Sequence, residues 1–177
     1  VFYYSNSARD YFGYLPSIDN LGQGISILVS LGLGNSGNDI MTEEHKARIT
    51  AWAGLYHSGR DGYFYHPQWG KEIALSRRAR DFSWSRSMLE KLGRKMKYPT
   101  FLNSAEEKST ETLIPEHLSS KEKFVAYLDS LNLEEASYSA GNTLSSQFQQ
   151  VKSQGLENIC IDYLNARQNP ATGLWHK

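Results

Sequence analysis

The chain is poor in cysteine and carries no excess of charge of either sign. Its only cysteine is Cys160, so no disulfide can form within the chain. Nineteen lysine and arginine residues balance nineteen aspartate and glutamate residues, which gives no general attraction to nucleic acid or to an anionic membrane surface. Cys160 lies in an apolar helical pattern, which is typical of an unreactive thiol in a hydrophobic core.

Long apolar runs are also missing. The longest run, ISILVSLGLG at residues 25–34, is interrupted by glycine and is too short to span a bilayer. We therefore expect a soluble chain without a membrane span. The chain starts at Val1 without a basic or signal-type apolar segment, which indicates a mature, trimmed or excised piece. The compartment stays open, and secretion is one of the alternatives.

No segment alternates apolar and polar residues with a period of two between hairpin signals, so β-strands are not expected. The 177 residues are 40% apolar and 12% aromatic, which is enough for one domain, residues 1–177, with a hydrophobic core. The apolar residues recur instead at helical spacing. The sequence therefore predicts an all-α fold of consecutive helical hairpins.

Three helices are predicted in the first half of the chain. The first helix runs from a cap at Ser17 to a stop at Gly32 or Gly34, and the second begins at a cap at Thr42. A third helix is expected to begin at a cap at Asp81. The first two helices should form one hairpin. The residues of the three apolar stripes are Ile18, Leu21, Ile25, Leu28, Val29, Ile49, Trp52, Ala53, Tyr56, Trp84, Met88, Leu89 and Leu92.

The second half begins with a long connection at 94–118, where two prolines flank a polar stretch. Ser119 and Glu122 form a capping box that predicts the start of a fourth helix. Two more helices follow, with Gly155 between them, and should form a second hairpin. The apolar residues of these three helices include Phe124, Val125, Leu128, Leu131, Ala136, Ala140, Leu144, Phe148, Val151, Leu156, Ile159, Cys160, Tyr163 and Leu164.

One sequence frame, [His/Gln]-x4-Gly-x-[aromatic], occurs after the second predicted helix and again after the last. The polar residue should bond free carbonyls of the last helical turn, and the glycine should adopt a conformation closed to other residues. The aromatic side chain should pack back on the hairpin. Such a repeat predicts an array of stacked hairpins with both turns at one end. The two copies are His57, Gly62 and Phe64, and 111 residues later Gln168, Gly173 and Trp175.

The segment Leu164-x3-Gln168-x4-Gly173-x-Trp175 resembles the glutamine-tryptophan repeat of terpenoid cyclases and prenyltransferases, with one extra residue before the glycine. The resemblance implies an α/α toroid, an architecture shared with polysaccharide lyases and six-hairpin glycosidases. This chain has fewer hairpins than a closed toroid. The resemblance therefore implies a fragment of a larger ring, completed by missing hairpins of the same protein or by self-association.

The chemistry of the terpenoid enzymes does not follow from this resemblance. Their acidic Asp-x-Asp-Asp box is missing, because no Asp-x-Asp occurs in the chain. Protein prenyltransferases bind zinc through Asp, Cys and His, but no such ligands surround Cys160 in the sequence. We expect no metal and no cofactor, and a cyclase-like domain without its acidic box is kept as one alternative.

Functional side chains are most concentrated between Asp61 and Asp81, which the sequence predicts to be a loop. Aromatic rings stack on sugars, and lysine and arginine pair with carboxylate or sulfate, so this composition is typical of an acidic polysaccharide site. In a lyase, Tyr65 or His66 would take the proton beside a uronate carboxylate while Arg80 neutralises the developing charge. The expected substrate-binding residues are Tyr63, Trp69, Lys71, Arg77, Arg78 and Asp81, and Tyr11, Tyr14 and Asp19 are candidates for the same cleft.

The same residues also have structural interpretations. Tyr63 and Phe64 can pack within the hairpin, and the basic residues can form a solvated face or bind helix C-termini. The glycine-rich segment 32–39 lacks Gly-Lys-[Ser/Thr] and follows no strand, so a helix-to-helix turn is favoured over a phosphate loop. No histidine has metal-ligand spacing to another.

Two classes of function therefore stay open. The first is a carbohydrate-active toroid domain that binds or cleaves an anionic polysaccharide, as a lyase or glycosidase if it is an enzyme. The second is a non-catalytic helical scaffold or protein-binding module. The expected partner is an acidic oligosaccharide or polysaccharide rather than nucleic acid. Accessible, unpaired side chains at 61–81 would favour the first class, and buried, mutually paired side chains would favour the second.

Overall fold

The computed structural model describes residues 9–11, 13–103 and 113–175. These residues form helices and no β-strand, which confirms the predicted all-α class. The chain divides into two compact units, Val1–Thr112 and Leu113–Lys177. Their boundary lies within the predicted connection, and membership of a single toroid domain stays a prediction. No helix in the described ranges is long and apolar enough to cross a membrane.

Between residues 13 and 103 the first unit has four helices. The positive φ of 75° at Gly32 follows the end of the first helix, and the Thr42 side chain caps the third by accepting a hydrogen bond from the amide of His45 at 3.3 Å. Both signals were predicted. The glycine-rich segment is a turn followed by a short helix. The four helices are α1 (Ile18–Ser30), α2 (Gly37–Ile40), α3 (Glu43–Tyr56) and α4 (Leu75–Lys91).

The predicted start of α4 at Asp81 is wrong, because the helix begins six residues earlier, at Leu75. Ala74 occupies the cap position and offers no side-chain hydrogen bond, so the true start has no cap signal in the sequence. Asp81 lies inside the helix and is buried. Its carboxylate pairs with Arg77 one turn earlier instead of capping. Arg77, Arg78 and Arg80 are therefore helical residues.

The predicted hairpin of α1 and α3 is also wrong, because α1 packs mainly against α4. The buried side chains of Leu21 and Ile25 lie on α1, and the buried side chains of Phe82 and Met88 lie on α4. The two helices are in contact at Gly22, where an added Cβ atom would lie at van der Waals distance, 3.8 Å, from Cβ of Met88. The apolar stripe of α3 is only partly buried, and this weak stripe explains why local periodicity chose the wrong partner.

Four aromatic side chains form the centre of the first unit: Tyr63, Phe64, Phe82 and Phe101. The ring centroids of Phe82 and Phe101 are 4.5 Å apart, and those of Tyr63 and Phe101 are 5.3 Å apart. These contacts join the turn after α3, the middle of α4 and the segment after α4. The core therefore holds the loop between α3 and α4 in place.

Residues 113–175, the described part of the second unit, form a 3-10 turn and three α-helices. Its first helix is capped by Ser120, whose hydroxyl accepts a hydrogen bond from the amide of Lys123 at 3.3 Å. The predicted cap at Ser119 is therefore wrong by one residue. Gly155 has the expected positive φ, 68°. The elements are the 3-10 turn Glu116–Leu118 and the helices α5 (Lys121–Ser130), α6 (Ser137–Ser153) and α7 (Glu157–Arg167).

The core of the second unit is formed by apolar side chains from all of these elements, and α6 contacts α7 as predicted. Cys160 is 3% exposed, and burial raises the pKa of its thiol. The predicted core position of Cys160 is confirmed by this burial. A buried amide, Gln147, bonds the ring of His117 at 2.9 Å and donates to the hydroxyl of Tyr127 at 2.7 Å. These contacts satisfy a polar side chain inside the core.

The repeated sequence frame forms the same turn in both units. In the first copy Nε2 of His57 lies 3.2 Å from the carbonyl oxygen of Gly62, and in the second the amide of Gln168 donates to the carbonyl of Gly173 at 2.7 Å. Two backbone hydrogen bonds also recur, from Gly62 to Ser58 and from Ser58 to Tyr63, at 2.9 and 2.8 Å. Their counterparts, from Gly173 to Asn169 and from Asn169 to Leu174, are both 2.8 Å.

Both glycines adopt the predicted left-handed conformation, with φ of 73° at Gly62 and 71° at Gly173. The expected acceptor was wrong, because the polar side chain bonds the glycine carbonyl and not the last helical turn. The helix carbonyls find other donors: the indole of Trp175 donates to Leu164 at 2.7 Å, and the amide of Tyr65 donates to Tyr56 at 2.9 Å. That both turns lie at one end of an array stays a prediction.

Candidate functional site

The residues expected at 61–81 fall into three groups in the structure. One group is a charged cluster at the start of α4, a second surrounds the ring of Tyr65, and the third is Tyr63 in the core. The segment is a loop only as far as Ala74, because α4 begins at Leu75. The predicted set therefore does not converge on one surface.

The charged cluster joins α1 to α4. A guanidinium nitrogen of Arg80 lies 3.4 Å from a carboxylate oxygen of Asp19, and one of Arg77 lies 3.5 Å from Asp81. Both carboxylates are buried, at 7% and 8% exposed. Asp19 therefore contacts one of the predicted α4 residues, and its place in a glycan cleft stays a prediction. The two arginines are thus paired with internal carboxylates.

Burial is the main cause of the pKa shifts of Asp81 and His66 in and beside the cluster. It raises the pKa of Asp81 to about 6, against the opposing effect of Arg77. His66 is 4% exposed, and burial lowers the pKa of its imidazole. Its Nδ1 accepts from the amide of Gln68 at 3.0 Å, and its Nε2 has no partner among the described residues. Both the lowered pKa and the accepting Nδ1 favour the neutral form of the ring.

Trp69 is the most accessible aromatic side chain of the segment, at 48% exposed. The guanidinium carbon of Arg77 lies 5.6 Å from the centre of its indole, and the His66 ring centroid lies 6.2 Å away. A cation over an indole face restrains the ring. Trp69 therefore forms an exposed platform beside the buried charges.

The second group is organised by Tyr65. Its hydroxyl donates to the carboxylate of buried Asp61, which also accepts from the amide of Tyr63 at 3.1 Å. The cations of Lys71 and Arg78 lie 5.8 and 5.3 Å from the Tyr65 ring centre. Burial and the bond to Asp61 raise the pKa of Tyr65 to about 12.

Arg78 in this group also has internal partners, because its guanidinium donates to the carbonyls of Ile73 and Lys71 at 3.1 and 2.9 Å. These carbonyls precede α4, so the expected binding of basic residues to helix C-termini does not occur here. Tyr63 is 0% exposed and packs in the aromatic core. Tyr11 and Tyr14 are exposed and pack on each other at 5.6 Å.

Two structural residues were missed from the sequence. Asp61 accepts a hydrogen bond from the Tyr65 hydroxyl, and the Asp-Gly pair that it begins is a turn signal in the sequence. Gln68 accepts from the backbone amide of Leu15 at 3.0 Å and ties the loop to the chain before α1. No local pattern indicates that contact, because the two residues are far apart in sequence.

This arrangement is unfavourable for proton abstraction by the expected residues. A catalytic tyrosine base needs a lowered pKa, whereas that of Tyr65 is raised. His66 has its Nδ1 occupied and its ring buried. Within the described ranges no group of three or more His, Cys, Asp or Glu side chains is placed to hold a metal ion. Trp69 and Lys71 are the exposed side chains of the set.

No family model, curated protein or solved structure matches this chain.

Proposed function

We propose that the chain is a non-catalytic binding module for an acidic polysaccharide, built as an arc of an α/α toroid. The observation that carries this proposal is the exposed indole of Trp69, which is held beside the guanidinium of Arg77. An exposed, restrained aromatic plane is suited to stacking on a sugar ring. A cation next to such a plane is suited to a uronate or sulfate group on the same sugar.

Lys71 supports an anionic ligand. It is exposed, and its ammonium makes no ion pair with a carboxylate of the described residues. Arg77 keeps part of its side chain accessible, at 28% exposed, although it pairs with Asp81. The ligand would thus meet one unpaired cation, one shared cation and one indole.

Binding is favoured over cleavage by the state of the two expected bases. The Tyr65 hydroxyl is committed to Asp61, and the His66 imidazole lies below the surface. The toroid part of the proposal is supported by the repeated turn, which has the same side-chain and backbone hydrogen bonds in both units. An internal repeat of this kind is typical of stacked hairpin arrays.

The proposal is tested by calorimetric titration of the full chain with an oligogalacturonate hexamer, a heparin-derived hexasaccharide and neutral cellohexaose. We expect at least one acidic ligand to bind more tightly than the neutral one, and its affinity to fall as sodium chloride is raised. Trp69→Ala should weaken binding by about tenfold, while Trp69→Phe should retain most of it.

Tyr138→Ala is the matched control, because Tyr138 is an 85% exposed aromatic residue of the other unit. This variant should bind as the unmodified chain does. If neither acidic hexasaccharide binds, or if Trp69→Ala binds with unchanged affinity, the glycan proposal is wrong.

A second candidate function, a helical scaffold without a ligand site, is favoured by one observation. Arg77, Arg78 and Arg80 all have internal partners, as expected of residues that hold α1, the loop and α4 together. The scaffold predicts that Arg80→Ala lowers stability and that no glycan binds to the unmodified chain. The same titrations therefore separate the two candidates.

A further inference from the structure

The end of α4 and the segment after it border a second surface, which the sequence did not single out. It is a groove of about 670 Å³, which we call the Lys95 groove. The residues that matter for its charge and shape are Arg86, Glu90, Arg94, Lys95, Lys97 and Tyr98. An adjoining groove of about 370 Å³, toward α3, shares Leu89, Lys95 and Lys97 with it. The two lysines therefore border both grooves.

The charges of the Lys95 groove are unbalanced. Arg86 pairs with Glu90 at 2.7 Å, and Arg94 pairs with Glu43 at 2.5 Å. Lys95 and Lys97 are exposed, and neither ammonium forms an ion pair with a carboxylate in the described parts of the chain. Two unpaired cations thus remain in a concave surface. Such a surface attracts an anion more strongly than isolated lysines on a convex face do.

The groove also offers an aromatic surface. The half-buried ring of Tyr98 lies on its border, and the ammonium of Lys97 is 4.9 Å from the ring centre. The ring packs against Gly59, whose added Cβ would lie 3.3 Å from it, and against the ring of His57 at 5.4 Å. These neighbours hold Tyr98 in place at the groove.

The Lys95 groove and the Trp69 platform lie toward opposite ends of α4. Arg77 is in the first turn of this helix, and Lys91 is its last residue. At 1.5 Å per residue these positions are about 20 Å apart along the axis. The groove is therefore not part of the site formed by Trp69.

We infer that the Lys95 groove binds an anionic glycan, with carboxylate or sulfate groups on Lys95 and Lys97 and a sugar ring against Tyr98. This inference rests on the proposed function, to which it adds a second subsite and its ligand class. The groove volume is in the range usual for small-ligand sites. Charge complementarity selects an acidic sugar over a neutral one.

Two other polyanions fit the observations less well. Nucleic-acid binders usually carry a strong basic excess, whereas this chain has a formal net charge of zero. Acidic peptide motifs are commonly bound by clusters of arginine residues, whereas the two arginines at this groove, Arg86 and Arg94, pair with carboxylates of the chain itself. A glycan needs neither a basic excess nor an arginine cluster.

The test is a double charge reversal, Lys95→Glu with Lys97→Glu, in the full chain. Its matched control is Lys121→Glu with Lys152→Glu, which changes the net charge equally at two exposed lysines of the other unit. Each variant is titrated by calorimetry with the oligogalacturonate hexamer and the heparin-derived hexasaccharide, and with hexaglutamate as the peptide probe. We expect about a tenfold loss of glycan affinity in the first variant and no change in the control.

Lysine acylation provides a second readout that does not depend on a change in stability. The tighter-binding hexasaccharide should protect Lys95 and Lys97 of the unmodified chain from an acylating reagent, and should leave Lys121 and Lys152 as reactive as before. Equal reactivity of all four lysines with and without the glycan would overturn the inference.

The outcomes also separate this inference from the proposed function. If Trp69→Ala weakens binding and the Lys95 and Lys97 reversal does not, the Trp69 site stands and the groove inference is wrong. If only the reversal weakens binding, the groove inference stands and the Trp69 site is wrong. Equal losses in the reversal and in its matched control, or groove-dependent binding of hexaglutamate alone, would refute the glycan-binding groove.

Discussion

The turn after α3 and the turn after α7 have the same hydrogen bonds but very different surroundings. In the first, His57 is 4% exposed, Phe64 is 1% exposed, and the two rings stack with centroids 4.2 Å apart. In the second, Gln168 and Gly173 are exposed and Leu174 is 44% exposed. The first turn is covered by the segment after α4, since the amide of Tyr98 donates to Nδ1 of His57 at 3.3 Å.

The two glycines show the difference most clearly. A Cβ atom on Gly62 would lie 2.6 Å from the carbonyl oxygen of Pro99 and 2.7 Å from Cα of Thr100. A Cβ atom on Gly173 would meet only Nε2 of Gln168, at 3.9 Å. The left-handed backbone is therefore required by the turn itself, whereas the absence of a side chain is required only where another segment covers it.

The largest effect should come from adding a methyl group at the covered turn. We expect Gly62→Ala to reduce the free energy of unfolding by up to about 5 kcal/mol, because left-handed strain and overlap with backbone atoms both contribute. Gly173→Ala carries only the strain and should cost about 1 kcal/mol. Urea unfolding followed by far-ultraviolet circular dichroism measures both. Equal losses would show that coverage of the first turn has no energetic consequence.

Removal of the aromatic side chain should also cost more stability in the first turn than in the second. Phe64→Ala removes a fully buried ring and should cost about 3 to 4 kcal/mol. Trp175→Ala removes a partly buried ring and one hydrogen bond to Leu164, so we expect about 2 kcal/mol. The same unfolding measurement applies. A larger loss for Trp175→Ala than for Phe64→Ala would contradict the difference in burial between the two turns.

The polar residues of the two turns, His57 and Gln168, should differ in how far they make the free energy of unfolding depend on pH. Burial lowers the pKa of His57 to about 4, below the value of about 6.5 in an unfolded chain. The unfolded state then binds the extra proton first, so the stability due to His57 is complete above about pH 6.5 and is lost as pH falls toward 4. The total loss is about 3 kcal/mol.

This dependence is isolated by comparison with His57→Gln, which places the side chain of the second turn in the first. The variant should show a smaller loss of stability between pH 6.5 and 4 than the unmodified chain. Asp81 acts in the opposite direction, because a raised pKa makes stability fall as pH rises from about 4 to 6, so the difference between variants is the quantity to measure. Gln168→His, in the exposed turn, should add little dependence on pH. An identical pH profile for His57→Gln and the unmodified chain would contradict the buried, neutral histidine.

Local signals in the sequence predicted most helix ends. The cap at Thr42 and the glycine at Gly155 act through bonds to near neighbours, so they could be recognised without a fold. The start of α4 could not be recognised, because Ala74 provides no cap and the capping residue type at Asp81 is used in an ion pair within the helix. The packing of α1 on α4 could not be recognised from local signals either. Periodicity shows that a helix has an apolar face but not which other face it meets.

The candidate site was predictable in composition and not in exposure. The sequence indicated His66, Trp69, Arg77 and Arg80, and the structure does place these residues near one another with Asp19. The structural interpretation of Tyr63 as a packing residue is confirmed, because its side chain is buried. The sequence did not indicate that His66 is buried while Trp69 is exposed, since burial depends on which segment lies above each residue. The Lys95 groove was missed because its cations lie in a predicted connection, which has no periodicity to mark a face.

The sequence by itself determined the helical class, the main helix stops and the repeated turn, because each depends on hydrogen bonds and backbone angles within a few residues. Only the tertiary structure decided that α1 packs on α4, that the first turn is covered and the second is open, and which cations have internal partners. These features depend on contacts between residues distant in the chain, such as Arg80 with Asp19 and Tyr98 with His57. Such contacts are fixed by how buried surfaces fit together, and no local pattern contains that information.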